Sequence, residues 1–480
     1  MRTLYVSTEV FPALKTGGLA DVNAALPPAL AALGVDMRLL LPAFPAFSKA
    51  ATALQPVAQL AAPMLAAPLR VLRGALDGVP AYLIEAGGLF AREGNPYVDA
   101  AGHDWPDNAL RFALLGWVAA RFADGAIDAW RPDIVHAHDW HAGLAPAYLA
   151  ARGGDRPGTV FTVHNLGFHG EFAAETFSRL ALPPHFFAMH GLEFYGKVNF
   201  MKAGLHYADR ITTVSPTYAR EILQPEFGFG MDGLLRSRAA VLSGILNGVD
   251  GAHWNPQTDP HIAAPFNDAA PAGKGICTTA LRDECGLSAS AGPLFGVVSR
   301  LTAQKGLDLL LDALPGLLAG GGQLVVLGSG DAALEQRWQA CAASHPGAVS
   351  VRIGYDEAFA HRIMAGSDVV VVPSRFEPCG LTQLYALAYG SLPLVRRVGG
   401  LADTVTDASA AARAAATATG FVFDEASATA LGDALKRVFA LWREPKDWAR
   451  LMATAMHQDC GWAASARRYL ALYRELRPQA

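Results

Sequence analysis

Short, almost wholly apolar runs recur along this 480-residue chain and alternate with longer helical stretches, and this rhythm constrains the fold most tightly. LYV (4–6), MRLLLP (37–42), DIVHAH (133–138), GTVFTVHN (158–165) and DRITTVS (209–215) read as strands in the first half. LFGVVSRL (294–301), QLVVLGSG (323–330), VSVRIG (349–354), DVVVVPS (368–374) and LPLVRR (392–397) read as strands in the second. Most are continuous rather than alternating, the pattern of strands buried on both faces of a parallel sheet. Helical segments at 108–123, 216–223, 306–319 and 379–389 lie between them. The succession predicts an α/β protein with doubly wound, Rossmann-like sheets.

The strands fall into two sets, parted by a tract rich in Gly, Asn, Asp and Pro at 243–266. The expected organisation is a first Rossmann-like domain over 1–245, a hinge linker over 246–260 and a second such domain over 261–460. The amphipathic end, 461–480, is expected to pack back across the hinge. The alanine-rich stretch 407–420 reads as a plain helix or loop.

Apolar residues make up 52% and charged residues 17%, enough to build large cores, and the formal net charge of −4 argues against a nucleic-acid partner. No apolar run reaches the roughly 18 residues of a spanning helix, so no membrane partner is expected. The N-terminus, MRTLYVSTEV, enters a strand pattern at once with no signal-peptide core, which predicts a cytoplasmic location. The five cysteines form no CxxC pair, so neither a zinc knuckle nor a disulfide framework is expected.

Ligands on doubly wound sheets bind beyond the carboxyl ends of the strands. The first strand leads to Lys15, Gly17 and Gly18 ahead of a helix. Paired glycines expose backbone N–H groups, a helix start adds unpaired donors and lysine adds charge, which together make an anion seat. An ordinary surface turn is the alternative. HAHDWHAG supplies His136, His138, Asp139 and His141, and VHNLGFHG supplies His164 and Asn165. His136 and His138 are expected on opposite faces of their strand, which disfavours a metal there, and Asp139 could cap a helix. SRLTAQKG places Arg300 and Lys305 after an apolar strand, where phosphate contact is favoured over a surface patch. IGYDE offers Gly354 and Tyr355, the tyrosine as packing or as a stacking surface. PSRFEPCGLTQ offers Glu377, Cys379 and the turn Gly380-Leu381-Thr382, with Cys379 favoured as a space filler over a nucleophile. LGSGD (327–331) lacks the third glycine of a dinucleotide fingerprint, so NAD is a weak alternative. The chain contains no Asp-x-Asp to hold a metal on a diphosphate. Protein cations and helix N-termini are expected to stabilise a departing phosphate instead, with no metal and no cofactor.

Together KTGGLADV, HAHDWHAGLAP, TVHNLGFHG, NGVD, VSRLTAQKGLDLL and PSRFEPCGLTQLYALAYGSLPLVRRVGGLADTV resemble the bacterial glycogen synthases and plant starch synthases, in family order from residue 1 to about 460. The resemblance implies two Rossmann-like domains facing a deep cleft, the GT-B glycosyltransferase fold. It implies transfer of glucose from ADP-glucose to the non-reducing end of an α-1,4-glucan such as glycogen, with retention and without metal. Carried over, Lys15 with Gly17 and Gly18 lies near the ADP phosphates, Arg300 and Lys305 hold the diphosphate, and Tyr355 beside Gly354 contacts adenine. His164 touches the donor sugar, Glu377 is the essential acid, and Cys379, Gly380, Leu381 and Thr382 follow it along sugar and phosphate. Asp21, Tyr97, Asp139, Asn165 and Asn247 match further cleft positions. A phosphate clamp split in this way implies that donor binding helps close the cleft. The resemblance favours a front-side route over double displacement. A related transferase with another nucleotide sugar and a glucan-binding protein without activity are the competing readings.

Overall fold

A computed structural model describes residues 1–479 apart from Glu93 and Ala100. The chain divides into two units, Met1–Asn247 with Trp462–Ala480, and Gly248–Gly461.

The first unit is built on β1 (Arg2–Val6), β2 (Asp36–Pro42), β3 (Thr52–Leu60), β4 (Leu69–Leu76), β5 (Val79–Glu85), β6 (Ile134–His138) and β7 (Gly158–Val163). A small sheet follows, β8 (Glu171–Phe172), β9 (Glu193–Phe194) and β10 (Lys197–Asn199), and then β11 (Arg210–Thr213) and β12 (Leu242–Gly244). The main sheet has the order β12-β11-β7-β6-β1-β2-β5-β4-β3. Its first seven strands are parallel, in registers such as Tyr5 beside Leu39 and His136. Helices cover both faces, so Leu4, Tyr5, Val6, Leu39, Leu40 and Val135 are fully buried. The strand order reverses at β1: β2 lies on one side and β6 on the other. Such a reversal leaves a crevice at the carboxyl ends of β1 and β6.

The antiparallel extension β5-β4-β3 escaped the sequence reading. Its outermost strand, β3, is mostly exposed and carries Pro56, which an edge strand tolerates because one side of it makes no ladder bonds. An exposed strand needs no continuous apolar run, so its signal in the sequence is weak.

The C-terminal helix Trp462–Leu476 packs on the helix Gly18–Ala31 and thereby counts with the first unit. Tyr473 Oη lies 2.7 Å from His136 Nδ1, and Ser465 Oγ donates to the Leu246 carbonyl at 2.5 Å.

The second unit contains β13 (Leu294–Val298), β14 (Gln323–Gly328), β15 (Val349–Ile353), β16 (Val369–Val372), β17 (Leu392–Arg396) and β18 (Phe421–Phe423). They form one parallel sheet in the order β15-β14-β13-β16-β17-β18. This is the Rossmann order 3-2-1-4-5-6, with its switch point between β13 and β16. Leu294, Phe295, Val369 and Val370 are fully buried, as their continuous apolar runs predict. Among the described residues, no helix is long and apolar enough to cross a membrane.

Candidate active site

At the switch point of the second unit, the loop after β13 carries Arg300 and Lys305 and the loop after β16 carries Ser374 and Glu377. The two loops touch. Gly306 sits in the left-handed region (φ +65°), and a Cβ there would come within 2.1 Å of the Pro373 carbonyl oxygen. Only glycine allows that approach, and it brings the neighbouring Lys305 beside Glu377. Lys305 Nζ donates to Glu377 Oε2 at 2.7 Å, and Ser374 Oγ donates to the same oxygen at 2.8 Å. Glu377 is 5% exposed, whereas the Lys305 side chain keeps 19% of its surface in solvent.

Glycine also secures the Glu377 backbone. Gly399 (φ +46°) would place a Cβ 1.9 Å from the Glu377 carbonyl oxygen, and that oxygen accepts from Gly400 N at 3.1 Å. Cys379 is buried, and its carbonyl and that of Gly380 accept from the Gln383 amide at 3.0 and 2.8 Å. Leu381 precedes the helix Thr382–Ala388, and Thr382 Oγ1 reaches back to the Val298 carbonyl at 3.4 Å. Sequence positions 300–305 and 377–382 thus converge at one sheet edge. Arg300 is exposed, with its guanidinium 3.4 Å from Gln304 Oε1. Gly354 follows β15 and donates to the Gly328 carbonyl at 3.0 Å. Tyr355 is 67% exposed, so packing is not its role, and its hydroxyl donates to Glu357.

The first unit's switch point gathers a second group. The N–H groups of Thr16 and Gly17 point at the Glu9 carboxylate, at 2.6 and 3.3 Å from Oε2, and Thr16 Oγ1 donates to Oε1 at 2.6 Å. The seat read from KTGG therefore already holds an anion, and it belongs to the protein. Lys15 Nζ donates to Asp21 Oδ1 at 3.0 Å, at the start of the helix that Gly18 opens. Tyr97 Oη donates to Glu9 Oε1 at 2.6 Å and lies 2.8 Å from Thr8 Oγ1. Burial, with the Glu9 charge beside it, pushes the Tyr97 phenol well above its ordinary range. Glu9 lies upstream of the glycine turn, and no local pattern in the sequence links the two.

Asp139 follows β6 with φ +56°, and its Oδ1 accepts from the N–H groups of His164 (2.9 Å) and Asn165 (3.4 Å). Asn165 Oδ1 in turn accepts from Gly167 N at 2.9 Å. His164 Nε2 lies 2.9 Å from His138 Nδ1. Burial lowers His164 and His141 to about 3, so both rings are neutral at physiological pH. The rings of His136 and His138 lie 4.0 Å apart, against the expectation of opposite faces, because residues i and i+2 of a strand point to the same side. Both nitrogens of His136 are engaged, by Tyr473 and by Thr162 Oγ1 at 2.6 Å. Asn247 is buried near the end of this unit, and among the described residues no hydrogen bond ties it to the Glu9–Asp139 group.

Burial lifts the Asp139 carboxyl from 3.8 to about 7; the two N–H bonds oppose the rise and Glu9 adds to it. The folded state therefore keeps a proton that the unfolded chain loses near pH 4. Stability from this group falls as pH rises from about 4 to about 7, by at most about 1.4 kcal/mol per pH unit. Thermal unfolding of the wild type and Asp139→Asn across pH 4–8 should show the wild type losing ground to the variant over that range. Parallel profiles would show that Asp139 titrates normally.

No metal site is expected from the sequence. Folding nonetheless assembles a candidate set: His253, Glu357 and His361 each bring one ligand atom within 4.8 Å of the others. The only local signal was Glu357 and His361, one turn apart on the helix Glu357–Gly366.

Comparison with known proteins settles the family. Residues 2–237 match the starch synthase catalytic domain and residues 286–451 match the glycosyl transferases group 1 family. A glycogen synthase of Yersinia pestis (strain Pestoides F) is 54% identical over 480 residues, covering 99% of this chain and 100% of that one. The chain belongs to the glycogen and starch synthase family. A glycogen synthase of Edwardsiella ictaluri (strain 93-146) is 55% identical over 479 residues, again covering 99% of this chain and 100% of the relative. Among solved structures, the catalytic domain of starch synthase IV from Arabidopsis thaliana, bound to ADP and acarbose, superposes with a TM-score of 0.89 at 31% identity over 99% of both chains. This family member is thus a glycosyltransferase with the two doubly wound units of the GT-B fold.

Proposed function

We propose that this glycogen synthase family member transfers glucose from ADP-glucose to the non-reducing end of an α-1,4-glucan, glycogen, with retention of configuration, in the cytoplasm. The observation that carries this reading is the Lys305–Glu377 pair, 2.7 Å apart at the switch point of the second unit. When the bond between glucose and diphosphate breaks, negative charge grows on the leaving phosphate and positive charge grows on the sugar ring. A fixed ammonium and a fixed carboxylate side by side match that separation, and charges set in place beforehand need no reorganisation. In this reading Lys305, with Arg300, holds the diphosphate, and Glu377 faces the sugar. Lys15 contributes a further cation to the phosphates by exchanging Asp21 for them. Tyr355 offers an exposed ring to the base, and the Cys379–Thr382 turn follows sugar and phosphate. His164, neutral, donates or accepts at the sugar, and Asp139 and Asn165 hold its loop. The leaving phosphate takes the acceptor's proton in a front-side route.

A donor panel tests the reading. ADP-glucose, UDP-glucose and GDP-mannose are offered with glycogen, with and without EDTA. The expected result is incorporation from ADP-glucose that survives chelation, because Arg300, Lys305 and Lys15 supply the counter-charge to the diphosphate. Complete loss in EDTA with recovery in Mg²⁺ or Mn²⁺ would contradict the metal-free reading. Incorporation from GDP-mannose alone would move the chain to another donor class.

A further inference from the structure

We infer that the second unit carries a binding site for one transition-metal dication of the zinc class, formed by His253, Glu357 and His361. The site is separate in chemistry from glucosyl transfer. Ligand atoms of the three residues lie within 4.8 Å of one another, and His253 Nε2 is 3.6 Å from Glu357 Oε1. Two imidazoles and one carboxylate are a common donor set for zinc, with a fourth position left for water.

The strongest observation concerns His361. Its side chain is fully buried, and among the described residues Nε2 has no hydrogen-bond partner. Nδ1 lies 2.7 Å from Asp259 Oδ2, which also accepts from Tyr389 Oη at 2.5 Å. Asp259 Oδ2 thus engages Nδ1 of the ring and leaves Nε2 to face the other two ligand atoms. A buried ring nitrogen without a partner is costly unless something fills it. This carboxylate–histidine arrangement fixes the tautomer and raises the basicity of metal-binding histidines. Trp254 stacks on the His361 ring, with centroids 3.8 Å apart and planes 8° apart, which locks its orientation.

Two elements meet in the site. The loop holding His253 and Trp254 comes from the start of the unit, and Glu357 and His361 project from the helix Glu357–Gly366. A bound ion would cross-link them and stabilise the unit. Tyr355 donates to Glu357 as well, so the exposed ring and the site share a partner.

The test uses the full chain, stripped with chelator and titrated with Co²⁺ and then Zn²⁺. Wild type should take up one Co²⁺ with visible d–d bands and no sulfur charge transfer, exchange it for Zn²⁺, and melt at a higher temperature when loaded. His253→Ala and Glu357→Gln alter partly exposed positions, so circular dichroism should show both folded. Each should weaken binding by more than the roughly 10–100-fold that loss of an outer partner costs. Absence of binding to wild type, sulfur charge transfer marking a cysteine site, or unchanged affinity in both variants would overturn the assignment.

Discussion

Glu377→Gln leaves the fold and ADP binding in place and lowers kcat by about 10²-fold or more. The amide oxygen can still accept from Ser374 Oγ, so the turn after β16 keeps one of the two bonds made by Glu377 Oε2. What disappears is the negative charge. If Glu377 were only scaffold, that loss would cost some stability through Lys305, whose ammonium still reaches solvent, and kcat would change within a few-fold. If it stands beside a sugar that turns positive, the loss falls on the transition state. Thermal melting and ADP titration beside the rate assay separate the two. A variant that melts, binds and turns over like wild type would shift suspicion to Asp139.

Lys305→Ala should cost roughly 10²–10³ in kcat, beyond what a change in KM explains, because the charge on departing ADP grows during bond breaking. Arg300→Ala should fall in the same direction. Lys305 and Glu377 touch, so their effects should not add: the double variant should lose less than the product of the single losses. Additive losses would mean that the two side chains act separately, and near wild-type turnover of Lys305→Ala would reduce it to a surface charge.

Both sheets were legible because their central strands are buried on two faces. Residues 369–372 are four valines, and such a run has few other places to go. The second unit's site was legible for the same reason: residues immediately after β13 and β16 fall at the switch point by topology alone. The edge β5-β4-β3 was not, since its outer face meets water and its sequence is mixed. The first unit's site was read only in part. Gly17, Gly18 and Lys15 have the chemistry of an anion seat, but local pattern does not reveal that Glu9 supplies the anion. The sequence also repeats GGLAD, at 17–21 and at 399–403, each time opening a helix beside a switch point. The His253–Glu357–His361 set was invisible because His253 is remote in sequence from the other two, and only the fold brings them together.

The most direct measurement of the central claim is the structure of the product. ADP-glucose labelled with ¹³C at C1 is incubated with a maltooligosaccharide, and the new linkage is read by NMR beside the release of ADP. The account predicts labelled α-1,4-linked glucose at the non-reducing end, in step with ADP. A β linkage, labelled free glucose as the main product, or ADP release without chain growth would contradict it.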